Sequence, residues 1–194
     1  MLDSLIDLAK DHLSGVVNNQ PELQNRDPQE TARITGQTVL EDLVGQADLA
    51  FSIEAFIHSP DAGRYFEQAA RALRPGGKLV VCDDFLTSAA PPDTAKARRR
   101  LEEFRVGWHA NSLLSVQQAR ELAAGSGLTL VRELDLTAFL ELRRPRDRWI
   151  SLLVGTGRVF GPAGPYWQSL VGGNALQWAL LHGLLSYRFL EFHK

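Results

Sequence analysis

The sequence predicts a layered α/β fold. Apolar segments with branched residues, typical of buried strands, alternate along the chain with amphipathic segments typical of helices. The clearest unit is a strand at residues 47–52, a helix beginning at Ser59-Pro60-Asp61, and a second strand at residues 78–82. Because a parallel strand needs a crossover connection before the next one, this order indicates neighbouring strands with a helix packed on the sheet.

Length and composition indicate one folded domain. The chain has 194 residues, of which 44% are hydrophobic and 23% charged, and its net charge is −2. These values exclude wholesale disorder and predict a single domain over residues 1–194. The lone Cys82 excludes an internal disulfide framework and a cysteine zinc cluster.

The sequence does not favour a membrane or a nucleic acid as a partner. No apolar run reaches the roughly 18 residues of a membrane span, and acids interrupt the first ten residues, unlike a signal peptide. Mild acidity gives no general attraction to nucleic acid. We therefore expect a cytoplasmic protein with neither a membrane nor a nucleic-acid partner.

The remaining elements are assigned from pattern. Residues 2–8 have near-helical apolar spacing, residues 13–17 resemble a buried strand, and residues 34–39 are ambiguous. The Arg74-Pro75-Gly76-Gly77 segment ends a helix, and Asp83 and Asp84 lie at the C-terminal end of the strand that follows. Downstream we predict a basic helix at 94–104, a helix at 116–124 capped by Ser115, a strand at 128–136, a Gly- and Pro-rich stretch with a helix around 175–181, and a closing strand at 185–192.

Two linked motifs stand out in this part of the sequence: Asp48-Leu-Ala-Phe-Ser-Ile-Glu54-Ala-Phe-Ile-His58-Ser-Pro-Asp61, and Ala72-Leu-Arg-Pro-Gly-Gly-Lys-Leu-Val-Val81 followed by Asp84-Phe85. Together they resemble the class I S-adenosylmethionine-dependent methyltransferases, in particular the branch that modifies small molecules such as natural products, quinones and sterols. The resemblance covers roughly residues 5–194. It implies a Rossmann-like sheet with helices on both faces, an antiparallel C-terminal strand, S-adenosylmethionine as cofactor and a small-molecule acceptor.

One family element is missing from this sequence. No acidic-x-Gly-x-Gly-x-Gly pattern occurs, and residues 1–10 resemble the helix that normally follows that glycine-rich loop. We therefore predict an N-terminally truncated sheet without its first strand, in which residues 1–86 are the remnant of the cofactor half and residues 87–194 form the acceptor side. Either the sheet closes up, or self-association or a complementing chain supplies the strand, or the true start lies upstream.

The resemblance also assigns cofactor contacts. Where relatives carry an acid for the ribose hydroxyls, this chain has Val17, so neighbouring amides and hydroxyls would have to substitute. The predicted cofactor-binding residues are Asn18, Asn19, Gln37, Thr38 and Ser52.

Three residues are the predicted catalytic group. His58 lies between a strand end and the next helix, where similar enzymes place a general base; the alternative is that it caps or packs that helix. Asp84 either pairs with the histidine or touches the acceptor, or else is a turn or helix cap. Glu54 either faces the cofactor or orients His58, or else pairs with an arginine.

Acceptor contacts are predicted on the later segments. Trp108, His109 and Tyr166 are expected to bind a flat or apolar acceptor, with core packing as the alternative for the aromatic residues. The five histidines show no ligand spacing, so no metal is predicted. The basic stretch at 143–148 is read as a polar face, with an anionic substrate or partner contact as the alternative.

Two functions follow from this reading. The first is methyl transfer from S-adenosylmethionine to a small organic acceptor, impaired by the missing loop. The second is a non-catalytic methyltransferase-like subunit, or a fragment that needs a partner chain.

Overall fold

A computed structural model of the chain describes residues 44–90, 92–142, 144–160 and 164–194. The predicted elements before residue 44, and the expectation that the first strand is missing, lie outside the described residues and stay predictions. Val44–Lys194 forms one compact unit.

The described strands form one mixed sheet. These strands are β1 (Ala47–Ile53), β2 (Leu73–Leu86), β3 (Thr129–Asp135) and β4 (Leu185–His193), and their spatial order is β1-β2-β4-β3. β1 and β2 are parallel, whereas β4 runs antiparallel to both β2 and β3. The predicted antiparallel C-terminal strand is therefore confirmed.

Helices connect these strands, and their starts carry the signals read from the sequence. The described helices are α1 (Ala62–Ala72), α2 (Ala95–Gly107), α3 (Val116–Gly125), α4 (Pro145–Phe160) and α5 (Pro165–Leu181), with short 3₁₀ turns at Phe56–His58 and Thr137–Phe139. Asp61, Thr94 and Ser115 each accept a hydrogen bond from a first-turn amide, and Ser115 forms a capping box with Gln118.

The Pro75-Gly76-Gly77 segment lies in the first part of β2, which begins at Leu73 directly after α1 and not at residue 78 as predicted, and it forms an irregularity in the pairing with β1. Gly76 has a φ of +78°, which glycine adopts without strain. A Cβ on Gly77 would lie 2.9 Å from the carbonyl oxygens of Ala47 and Arg74. The segment therefore requires glycine at position 77 for close packing beside β1.

Apolar side chains cover both faces of the sheet. On one face, Leu79, Val81 and Phe85 of β2 pack with residues of β4 and of helices α1 and α3. On the other face, Leu185 of β4 joins a second cluster formed mainly by α2, α5 and Ile57. The prediction of helices on both faces is thus confirmed for the described sheet.

Two further element boundaries predicted from the sequence are wrong. β2 runs to Leu86, so Asp83 and Asp84 lie inside the strand and not at its end; β4 pairs with it as far as Leu86 and extends it. The Gly- and Pro-rich stretch contains two long helices, because tertiary packing outweighs the low helix propensity of its glycines. A Cβ on Gly157, for example, would collide with the ring of Trp167.

The contact between α2 and α5 gives a stability test. A Cβ on Gly107 would lie 2.8 Å from the Cα of Gly172 and closer still to the Gln168 carbonyl oxygen. We expect Gly107→Ala to lower the free energy of unfolding by about 1–3 kcal/mol, the usual cost of overpacking. Urea unfolding measures it. Gly125→Ala, where nothing lies within 4 Å, is the control and should be neutral or slightly stabilising; equal effects from the two variants would contradict the packing argument.

Candidate functional site

A cavity of about 470 Å³ opens at the carboxyl end of β1, beside Asp83 and Asp84 of β2. Such ends are where ligands bind in open α/β sheets. Its polar wall comes from the β1–α1 connection, β2 and β4, and its apolar wall from α2, α5 and the segment before α4. The residues used below are Glu54, His58, Asp83, Asp84, Trp108 and Tyr187, with Phe104, Leu140, Leu142, Leu176 and Leu180 as the apolar lining.

Glu54 lies where β1 ends. Its backbone has a φ of +51°, and its amide donates to the carbonyl of Cys82 at 2.9 Å, so the chain turns sharply while still attached to β2. The Tyr187 hydroxyl donates to Oε1 of Glu54 at 3.5 Å. This contact joins the end of β1 to β4 across the cavity.

Asp83 holds the loop that carries His58. Its side chain is 1% exposed and accepts from the amides of Ile57 at 3.0 Å and Asp84 at 2.9 Å. Burial raises the pKa of its carboxyl above the ordinary value, while those two hydrogen bonds oppose the rise. Sequence alternation predicts that Asp83 and Asp84 point to opposite faces, but the role of Asp83 in the loop was missed because Ile57 gives no local signal.

Asp84 is the most perturbed carboxyl that lines the cavity. Burial, followed by the negative charges of Asp83 and Glu54, raises its pKa to about 7. Its Oδ1 atom is buried without a hydrogen-bond partner. Tyr187 lies directly opposite in the β2–β4 register, and its own pKa is raised, mainly by burial. Asp84 thus combines a neutral-range pKa with an unsatisfied oxygen at the cavity.

His58 ends the first 3₁₀ turn and is exposed at the cavity. Its Nδ1 atom is 3.4 Å from the carbonyl oxygen of His109, whose backbone has a φ of +51°. Donation from Nδ1 to this carbonyl leaves Nε2 as the basic nitrogen. The side-chain amide of Asn111 also donates to the His58 carbonyl at 3.3 Å, which fixes the same loop.

The predicted acceptor residues are only partly brought together. Trp108 lines the cavity and is anchored by its Nε1, which donates to the Ser169 carbonyl at 3.2 Å. His109 contributes its backbone carbonyl, and its ring is not part of the cavity lining. Tyr166 is 80% exposed and lies outside the lining.

The predicted cofactor residues are also separated. Ser52 is buried in β1 and does not line the cavity. Asn18, Asn19, Gln37 and Thr38 lie outside the described residues. At the cavity rim, Arg144 pairs with Glu141 at 2.7 Å and Arg146 lies 3.8 Å from Asp147, an arrangement not predicted from the sequence.

Within the described ranges, no three histidine, cysteine or carboxylate side chains gather into a metal-binding group. Among the described helices, none is both long and apolar enough to cross a membrane.

Comparison with known proteins gives matches to methyltransferases. Residues 8–81 match a family model described as a methyltransferase domain. The chain is 36% identical over 78 residues to 27-O-demethylrifamycin SV methyltransferase of Amycolatopsis mediterranei (strain S699), covering 40% of this chain and 28% of that protein. It is 35% identical over 98 residues to methyltransferase GfsG of Streptomyces halstedii, covering 50% of this chain and 33% of that protein. The alignments therefore span about a third or less of these relatives.

A solved structure shows the same fold. The cyclopropane synthase MmaA2 from Mycobacterium tuberculosis superposes with a TM-score of 0.56 and 17% identity, over 80% of this chain and 58% of that one. The chain is thus similar to methyltransferases in sequence over residues 8–81 and to a class I methyltransferase-like structure in fold.

Proposed function

We propose that this chain carries out methyl transfer from S-adenosylmethionine to a small organic acceptor bound in the cavity described above. The observation that carries the proposal is that cavity: its volume of about 470 Å³ suits a small molecule, and it opens where β1 ends, beside Asp83 and Asp84 of β2. One relative is named for the methylation of 27-O-demethylrifamycin SV, which is consistent with a small acceptor.

The described residues fit the charged end of the cofactor. Glu54 and Asp83 oppose the ionisation of Asp84, and a positive group placed among these carboxylates would relieve that repulsion. When bound, S-adenosylmethionine supplies a sulfonium cation with an electrophilic methyl group. In this proposal Glu54 and Asp84 face the sulfonium end, while Asn18, Asn19, Gln37, Thr38 and Ser52 would serve the rest of the cofactor.

Calorimetric titration with S-adenosylmethionine and with S-adenosylhomocysteine, which lacks the sulfonium charge, tests this arrangement. We expect both to bind the folded chain, and Glu54→Gln to weaken binding of the sulfonium ligand by about threefold more than binding of the thioether, since one partly exposed charge contributes less than about 1 kcal/mol. Glu67→Gln, on the exposed side of α1, is the control and should leave the ratio unchanged.

The titration also decides between the two functions. If a folded sample binds neither ligand, methyl transfer by this chain is excluded. That result would favour the non-catalytic subunit that needs a partner, a hypothesis supported by Val17 at the ribose position and by the missing glycine pattern.

His58 is the proposed general base for an acceptor that loses a proton. Its Nδ1 contact with the His109 carbonyl orients the ring and leaves Nε2 free to accept that proton. We expect His58→Ala to lower turnover by about 10²–10⁴-fold, the usual contribution of a general base. His193→Ala, at the far end of β4, should keep the wild-type rate; an unaltered rate in His58→Ala would leave His58 a structural role.

Asp84 is the second proposed catalytic residue, and its environment can be tested without turnover. Because its pKa is raised to about 7, the folded state disfavours its ionised form. This destabilisation is absent at low pH, where folded and unfolded forms are both protonated. It grows as pH rises from about 4 to about 7, and is complete above that.

Replacement of Asp84 by asparagine should therefore raise the free energy of unfolding by on the order of 2 kcal/mol at pH 8, with a gain that vanishes towards pH 4. Urea unfolding at both pH values measures this gain, with Glu67→Gln as the exposed control. A gain independent of pH, or no gain at pH 8, would show that Asp84 is not held at a raised pKa.

A further inference from the structure

Helix α4 presents an apolar stripe to solvent. Trp149, Leu152 and Leu153 are 68%, 57% and 59% exposed, and their spacing places them on one face of the helix. The opposite face is the one that packs inward, since Val154 and Asp147 are buried. Three large exposed apolar side chains in one stripe are unusual for a surface that faces only water, and mark an interaction surface.

The sequence segment that carries this stripe is basic. Residues 141–158 contain five arginines, at positions 143, 144, 146, 148 and 158, against two acids, Glu141 and Asp147. This segment therefore has a net charge of +3, whereas the whole chain has −2. Arg144 and Arg146 are 51% and 74% exposed in their side chains; the Arg144–Glu141 pair is exposed on both sides and contributes little energy, whereas Asp147, the partner of Arg146, is buried.

We propose that α4 is a docking surface for an anionic lipid bilayer. An amphipathic helix with tryptophan and leucine on one side and arginine beside them is the pattern of helices that lie in the plane of a membrane interface. The apolar stripe would enter the boundary between headgroups and acyl chains. The arginines would contact anionic headgroups, which attract basic segments next to an inserted helix.

A second copy of the chain fits this surface less well. A two-fold dimer places the same patch of both subunits together, so two segments of charge +3 would face each other. Such like-charge contacts oppose association, whereas a bilayer with anionic headgroups complements the charge. The apolar stripe is separate from the cavity, because Trp149, Leu152 and Leu153 do not line it, whereas Arg144 and Arg146 lie at the cavity rim.

Sedimentation of the full chain with vesicles tests this proposal. We expect the chain to bind vesicles of phosphatidylcholine with about a quarter phosphatidylglycerol at about 0.1 M salt, and to be released at about 0.5 M salt. Pure phosphatidylcholine vesicles should bind the chain at least about tenfold more weakly. Equal binding to the two lipids, or none to the anionic vesicles, would overturn the proposal.

Matched variants locate the contact. Leu152→Glu with Leu153→Glu should weaken binding to the anionic vesicles at least about tenfold, since both side chains lose apolar burial and add repulsion. The control replaces two exposed apolar residues elsewhere, Leu122→Glu on α3 and Val131→Glu on β3. Far-ultraviolet circular dichroism and light scattering check folding and oligomeric state. An equal loss of vesicle binding in the control variant would overturn the bilayer proposal. A wild-type dimer that the Leu152→Glu, Leu153→Glu variant dissociates would also overturn it, because the surface would then bind a second copy of the chain.

Discussion

The geometry of the candidate site depends on one buried carboxylate. Asp83 accepts the amides of Ile57 and Asp84, and so fixes the connection between β1 and α1 on top of β2. A buried amide left without a partner costs about 1–3 kcal/mol, so this contact strongly favours one loop conformation. The same buried charge makes Asp84 harder to ionise. A single side chain therefore positions His58 and contributes to the pKa of the neighbouring carboxyl.

The apolar wall of the cavity depends on two glycines, whose lack of a side chain allows two helices to pack closely. Gly107 and Gly172 let α2 and α5 approach so closely that the end of α2 lies directly on α5. Trp108 follows immediately and is held by the Ser169 carbonyl, so its ring forms part of the cavity wall. The Trp108 ring lines the cavity because the two glycines let α2 approach α5 closely. The cavity thus has one wall fixed by hydrogen bonds and one fixed by close packing.

Elements whose signals lie in the neighbouring sequence could be predicted, whereas elements that depend on contacts with distant residues could not. The Asp61 cap and the Pro75-Gly76-Gly77 segment lie in the sequence near the helix that they delimit, so α1 and the central part of β2 could be predicted, but the start of β2 at Leu73 could not. The extension of β2 through Asp84 could not, because it requires pairing with β4 about a hundred residues later. The helix at α4 was missed because Gly157 lowers local propensity but accommodates the Trp167 ring.

The residues of the candidate site also differ in whether local sequence or long-range contacts determine their position. Motif resemblance selected His58, Asp84 and Glu54, and the structure brings all three to one cavity. What the motif does not contain is the carbonyl of His109, since its orientation depends on a left-handed backbone conformation with no side-chain signal. Sequence could likewise not separate Trp108 from Tyr166 as an acceptor contact, because both are aromatic and only packing places one in the cavity wall.

Positive and negative side chains lie at different depths in this cavity, and their exposure to water determines how strongly they act on neighbouring groups. Arg144 and Arg146 are at the exposed rim, where water screens them and the Arg144–Glu141 pair contributes little energy. Asp83 and Asp84 are deeper, where burial raises both pKa values and the negative charge of Asp83 raises that of Asp84 further. Although both signs are present, the buried carboxylates therefore dominate the electrostatics beyond the end of β1. A positive group or a transferable proton is stabilised at that position, as the proposed methyl transfer from a sulfonium to a protonated acceptor requires.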